Sequence, residues 1–218
     1  MEPVYYMPGC AFELYKKETS EKFLTYLRKH FPNIQRYDTC CRHPSTLPED
    51  SRVIYVCSSC AMRLRDQDAT LKLQSLWNVI HTFGDYPLPD YHGRKVSLHD
   101  SCTAKSTPII HQDVRQLLKD LNFDLVEVKA HGMNSQCCGD SLYPDHSPEE
   151  VLAAMKNRAA SMPCEDVVVY CISCMNAIKR GGRRPLLLTD LVLGEETVPP
   201  SENIDEWYGK LVEYIEKH

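Results

Sequence analysis

Two pseudo-symmetric α/β halves are what this 218-residue sequence predicts, and three observations predict them. Short β-branched and aromatic runs alternate with helical patterns, which is how parallel strands joined by helical crossovers read in a sequence. One ordered set of cysteines (a single residue, an adjacent pair, then C-x-x-C) occurs twice. Five of the six elements of those sets fall within a few residues of the end of a predicted strand, and parallel sheets bind ligands at the carboxyl ends of their strands.

In the first half, a strand over 4–7 precedes Cys10. Ser20 is the expected N-cap of a helix that buries Phe23, Leu24, Leu27 and Phe31 and stops at Pro32. A strand over 34–37 leads to Cys40, and one over 53–56 runs into Cys57. The stretch 84–90, with Gly84, Pro87 and Pro89, reads as the boundary between halves. In the second half, a strand over 95–98 precedes Cys102, and Val114, Leu117, Leu118 and Leu121 recur at helical spacing. A strand over 124–128 comes next. The sequence Ser147-Pro148-Glu149-Glu150 then opens a helix expected to bury Val151, Leu152, Met155 and Ala159. A strand over 167–170 runs into Cys171, and Ile204, Trp207, Leu211, Tyr214 and Ile215 mark a terminal helix docked on the core. Each half is therefore expected to be Rossmann-like, with short parallel strands flanked by helices and the cysteines at the strands' carboxyl ends.

A net charge of −5 gives no basis for a nucleic-acid surface. Basic residues gather only at Lys179-Arg180 and Arg183-Arg184, where a solvated helix end is the plain reading and an offset to thiolate charge the alternative. No apolar run reaches the ~18 residues of a membrane span, and the first residues lack the basic flank and apolar stretch of a secretory signal. The expected location is cytoplasmic, where thiols stay reduced. The odd total of eleven cysteines also argues against a closed disulfide framework.

The first set is Cys10, Cys40-Cys41 and Cys57-Ser58-Ser59-Cys60; the second is Cys102, Cys137-Cys138 and Cys171-Ile172-Ser173-Cys174. Only Cys164 falls outside them and reads as an incidental thiol. Thiolates hold zinc and iron-sulfur clusters alike. The sulfurs of C-x-x-C reach one site, while neighbouring side chains of a doublet point apart and reach two metal atoms or bend around one. A tetrahedral zinc ion needs four ligands; five per set favours a polynuclear cluster. The closely spaced ferredoxin run ending in Cys-Pro is absent. The copies differ after the doublet: 139–170 separates it from C-x-x-C in the second, only 42–56 in the first. The missing length corresponds to the helix after Ser147.

The second copy, Cys137-Cys138-Gly139 with Cys171-x-x-Cys174, resembles the cysteine-rich CCG domain family, which includes the catalytic B subunit of heterodisulfide reductase and subunits of lactate and glycolate oxidation systems. The stretch Leu98-His99-Asp100-Ser101-Cys102 is similar to the strand-to-cysteine turn of these proteins. The resemblance implies a first CCG-type half over 1–88, shortened and carrying Arg42 where the family has glycine; a second over 89–200; and a C-terminal helix over 201–218. It implies two non-cubane four-iron clusters, one on Cys10, Cys40, Cys41, Cys57 and Cys60 and one on Cys102, Cys137, Cys138, Cys171 and Cys174. Arg42 and the shortening leave zinc, or a conventional cluster on four of the five ligands, open for the first site.

The activity so implied is thiol–disulfide oxidoreduction, each cluster supplying one electron. The expected partners are a disulfide or thiol substrate and an electron-donating flavoprotein or iron-sulfur subunit, with no nucleic acid and no membrane span. Two other readings remain: an electron-transfer subunit of a flavin-linked 2-hydroxyacid oxidation complex, and a zinc-stabilised interaction module. His43, His99 and His131 flank cysteine motifs and read as structural histidines rather than catalytic acids; His81 reads as part of a core segment.

Overall fold

The computed structural model describes residues 2–200 and 203–218. Met1, where the N-terminal reading begins, and 201–202, where the C-terminal helix was expected to begin, lie outside the described residues. The chain divides into two compact units. The first runs to Tyr86 and takes in the stretch from Pro200 to His218; the second is Pro87–Pro199.

In the first unit, β1 (Val4–Met7), β2 (Gln35–Arg36), β3 (Arg52–Tyr55) and β4 (Lys72–Ser75) form a parallel sheet in the order β2-β1-β3-β4. Its helices are α1 (Cys10–His30), α2 (Ser58–Gln67) and α3 (Leu76–Phe83). The central strands are buried because their residues are apolar on both faces, as Tyr6, Met7, Val53, Ile54 and Tyr55 show.

The second unit repeats the plan. Strands β5 (Arg94–Leu98), β6 (Phe123–Leu125), β7 (Asp166–Val169) and β8 (Arg184–Leu187) pair in parallel in the order β6-β5-β7-β8. Helices α4 (Ile109–Asp120), α5 (Pro148–Ala160), α6 (Ile172–Arg180) and α7 (Leu188–Leu193) accompany them. The fold is α/β in two similar halves, as the alternation of runs predicts.

Several elements depart from the sequence reading. The helix expected to start at Ser20 starts ten residues earlier, at Cys10, with a non-helical Lys16 inside it. Ser20 lies within it, fully buried, and donates its hydroxyl to Tyr6 Oη at 3.4 Å. An internal polar contact, not a cap, accounts for that serine. His81 is exposed although its neighbours Val79 and Ile80 on α3 are buried, because the helix turns it away from the core. Leu152 is 38% exposed, and Arg158 shares the buried face of α5 with Val151, Met155 and Ala159.

Helix α5 begins with a capping box between Ser147 and Glu150 and a proline in its first turn. The first unit has no counterpart to it between β2 and β3 among the described residues. What the first unit has instead is α8 (Ile204–Lys217), capped by Asn203 and Glu206, which buries Trp207, Leu211 and Ile215 and packs on α1. No helix among the described residues is long and apolar enough to cross a membrane.

Candidate metal-sulfur centres

Each unit delivers its five cysteines from equivalent places. Cys10 opens α1, and Cys102 opens a 3-10 turn over Cys102–Ser106; both follow the first strand of their sheet. The doublets Cys40-Cys41 and Cys137-Cys138 lie in the segments after β2 and β6. Cys57 and Cys171 are the N-caps of α2 and α6, so Cys60 and Cys174 occupy the first turns of those helices. Strand ends and helix starts thus converge on one region of each unit, where helix N-termini favour thiolate. All eleven thiols are free.

The sulfurs form a chain of contacts that is the same in both units. In the first, Cys10 meets Cys40, Cys40 meets Cys41, Cys41 meets Cys60, and Cys60 meets Cys57. In the second, Cys102 meets Cys137, Cys137 meets Cys138, Cys138 meets Cys174, and Cys174 meets Cys171. The Cys10–Cys40 sulfur distance is 3.8 Å. Cys164 belongs to neither chain; its backbone amide donates to Ser97 Oγ at 2.9 Å.

Crowding sets the protonation of these thiols. Hydrogen bonds shared with Cys10 and Cys41 hold Cys40 down to about 2, and the bond shared with Cys40 pushes Cys41 up to about 12. Cys57 is brought down to about 6 by the Cys60 thiol and, against burial, by the amides of Cys60 and Ser59. Cys10 is pushed up by its bond to Cys40, and Cys60 by its bonds to Cys41 and Cys57. In the second unit Cys137 is the low member, through Cys102 and Cys138, while Cys102, Cys138 and Cys174 are pushed up. Five thiolates this close repel one another unless cations neutralise them, and a metal deprotonates its thiols outright. The donor set fits a polynuclear metal-sulfur group.

The surroundings of the two sets differ. In the first, Cys41 and Cys60 pack among Met7, Tyr37, Val53 and Leu64, and Cys40 packs on Leu211 and Ile215 of α8. The Cys40 amide donates to the carbonyl of His218 at 3.0 Å, and His43 Nε2 lies 2.8 Å from the carbonyl of Ile215. A small open cavity beside Cys10 and Cys40 is lined by Gly9, Glu13, Tyr37, Asp38 and Tyr214. Burial raises the Glu13 carboxyl against its ion pair with Arg36. Gly9 has φ of 90°, and a Cβ there would lie 3.0 Å from Cys57 Cβ and 3.1 Å from Cys60 Sγ. Close approach to C-x-x-C requires glycine at that point.

The second set is surrounded by polar groups. Asp100, fully buried, accepts from Arg115 Nη2 at 2.8 Å, Gly132 N at 2.7 Å and Tyr170 Oη at 3.3 Å, with His111 Nδ1 at 3.2 Å. Burial works to raise its carboxyl, but these donors hold it well below the usual carboxylate range. His99 is buried beside Cys138 and Cys174; a ring nitrogen and the two sulfurs lie within 4.8 Å of one another. Burial and then the Arg158 charge push His99 down to about 3, so its ring is neutral.

Gly139 has φ of 102°, and a Cβ there would fall 2.9 Å from the Met155 amide nitrogen of α5. Its small size makes room for α5. Arg42, exposed at the equivalent position, meets no such helix. Arg183 and Arg184 are not a free basic patch either: they pair with Glu165 and Asp166 at the start of β7. His131, exposed, has Nδ1 2.7 Å from the Val128 carbonyl.

Residues 96–179 match the family model of the CCG cysteine-rich domain. This stretch is similar to a CCG domain. It spans β5 to α6 and includes all five cysteines of the second set, Gly139 and Arg158. No curated protein and no solved structure matches the chain. The CCG domain and the clustered thiols together point to metal or iron-sulfur binding and to a redox role.

Proposed function

We propose that the chain is an iron-sulfur thiol–disulfide oxidoreductase of the heterodisulfide reductase B type, with one non-cubane four-iron cluster on each set of five cysteines. The observation that carries this reading is the repeated order of sulfur contacts, which gives each unit five thiols in one chain instead of the four a zinc ion takes. When bound, the two clusters supply one electron each. The balance is R–S–S–R′ + 2e⁻ + 2H⁺ → R–SH + R′–SH, with the electrons drawn from a flavoprotein or iron-sulfur partner.

The chain's own residues position the sulfurs and shield half of them from competing exchange. Cys40, Cys41, Cys60, Cys138 and Cys174 are buried, so a disulfide does not reach them for ordinary thiol exchange. The small cavity beside Cys10 and Cys40 carries the Glu13 carboxyl on its wall, raised by burial against its ion pair with Arg36. Nothing in the sequence pattern marks Glu13; its signal is a buried carboxyl on an otherwise ordinary helix.

The test is stoichiometric reduction of the anaerobic protein with dithionite, followed by a mixed or aromatic disulfide. About one disulfide cleaved per chain, with two electrons withdrawn, supports the reading. A reduced, iron-loaded protein that leaves disulfides untouched but passes electrons to a flavoprotein would replace it with the electron-transfer role.

A further inference from the structure

We propose, on the cluster reading above, that His99 donates a hydrogen bond to sulfur at the second centre without ligating metal, and that Arg158 fixes it in that role. Arg158 is 3% exposed and sits on the buried face of α5. Its Nε–H reaches His99 Nδ1 at 3.1 Å, Nη2 reaches the Ala130 carbonyl at 3.2 Å, and Nη1 reaches Ser161 Oγ at 3.4 Å. A guanidinium has donors only. Nδ1 of His99 must therefore accept, which leaves the proton of the neutral ring on Nε2.

Nε2 is itself buried and has no hydrogen-bond partner among the described residues. A buried N–H left unsatisfied is costly, and the sulfurs of Cys138 and Cys174 are acceptors that lie within 4.8 Å of a nitrogen of this ring. Spacing alone would allow His99 to be a sixth ligand, but ligation needs a lone pair on Nε2 and the proton on Nδ1, where Arg158 forbids it.

Arg158 gives a second, independent indication. Among the described residues no carboxylate pairs with this buried cation. An unpaired buried charge is strongly destabilising; burial lowers the Arg158 guanidinium, and the charges that oppose this are Cys174, then Asp100, Cys138 and Cys137. An anionic metal-sulfur group would complete the set. In the first unit the residue equivalent to His99, counted back from the first cysteine, is Met7, and α5 with its arginine is missing. Hydrogen bonds to sulfur and local charge set cluster potentials, so the pair raises the potential of the second centre specifically.

Anaerobic wild-type protein is first assayed for iron and sulfide; absence of both overturns the cluster reading itself, before any variant is made. In iron-loaded wild-type protein labelled with ¹⁵N-histidine, pulsed EPR is expected to show a weak nitrogen coupling at one cluster. A strong coupling, that of a direct ligand, or none at all overturns the proposal. His99→Leu and Arg158→Met are expected to keep the parent iron content while the second centre becomes harder to reduce, with the reduced-to-oxidised ratio at the parent midpoint falling about tenfold, or 59 mV for one electron. His99→Gln, which keeps a donor, restores most of the shift. Loss of one cluster's iron in His99→Leu, or unchanged potentials in both folded variants, would refute the role.

Discussion

The two halves share strand order and sulfur order but not the way the sulfurs are surrounded. The first packs its doublet against Leu211 and Ile215 of α8 and sets Met7 and Pro8 before Cys10. The second lays Gly139 on α5 and sets His99 and Asp100 before Cys102, tied to Arg158 and Arg115. What is common follows from backbone: a strand end, a loop and a helix start deliver three cysteine elements whether or not an extra helix is present. What differs is the setting: the first doublet packs on an apolar helix face, and the second centre is bordered by the buried His99, Asp100 and Arg158.

Removing the buried carboxylate breaks this contrast most severely. Asp100→Ala leaves Arg115 and His111 without their shared acceptor and is expected to destabilise the second unit by about 3–5 kcal/mol. Hydrogen exchange resolved by segment checks it: protection should fall across 87–199 and hold across 2–86. The apolar half is tested by Leu211→Ala, which should cost about 2–3 kcal/mol and speed alkylation of Cys40 in metal-free protein, with Cys138 unchanged. Gly139→Ala should cost about 1–3 kcal/mol through strain at positive φ and the clash with Met155. Arg42→Gly in the first half should stay within about 1 kcal/mol by urea unfolding; equal costs at the two positions would refute the link between that glycine and α5. The smallest effect is expected from Asn203→Ala, about 1 kcal/mol from the lost α8 cap, read as a drop in the thermal midpoint.

Much of this architecture was legible in the amino-acid order. The strands ending at Met7, Tyr55, Leu98 and Val169 carry β-branched or aromatic runs, and each leads to a cysteine within four residues. Of the edge strands, β2 and β6 were legible as the runs over 34–37 and 124–128, and β4 and β8 were not. Lys72-Leu73-Gln74-Ser75 has a single large apolar residue, and Arg184-Pro185-Leu186-Leu187 contains a proline that only an edge position tolerates. The start of α1 was hidden because its first turn carries a cysteine and its cap is a glycine at φ of 90°. The His99–Arg158 contact spans 59 positions, beyond any local pattern. One signal was there: Arg158 lies three residues after Met155 and seven after Val151, a cation on an apolar stripe.

Iron and acid-labile sulfide, quantified on anaerobically purified protein together with its EPR spectrum, test the shared chain of five sulfurs most directly. Two four-iron clusters predict about eight irons and about eight sulfides per chain, with Cys40→Ser and Cys137→Ser each removing the signal of its own half. Colourless protein holding stoichiometric zinc and no sulfide would contradict it.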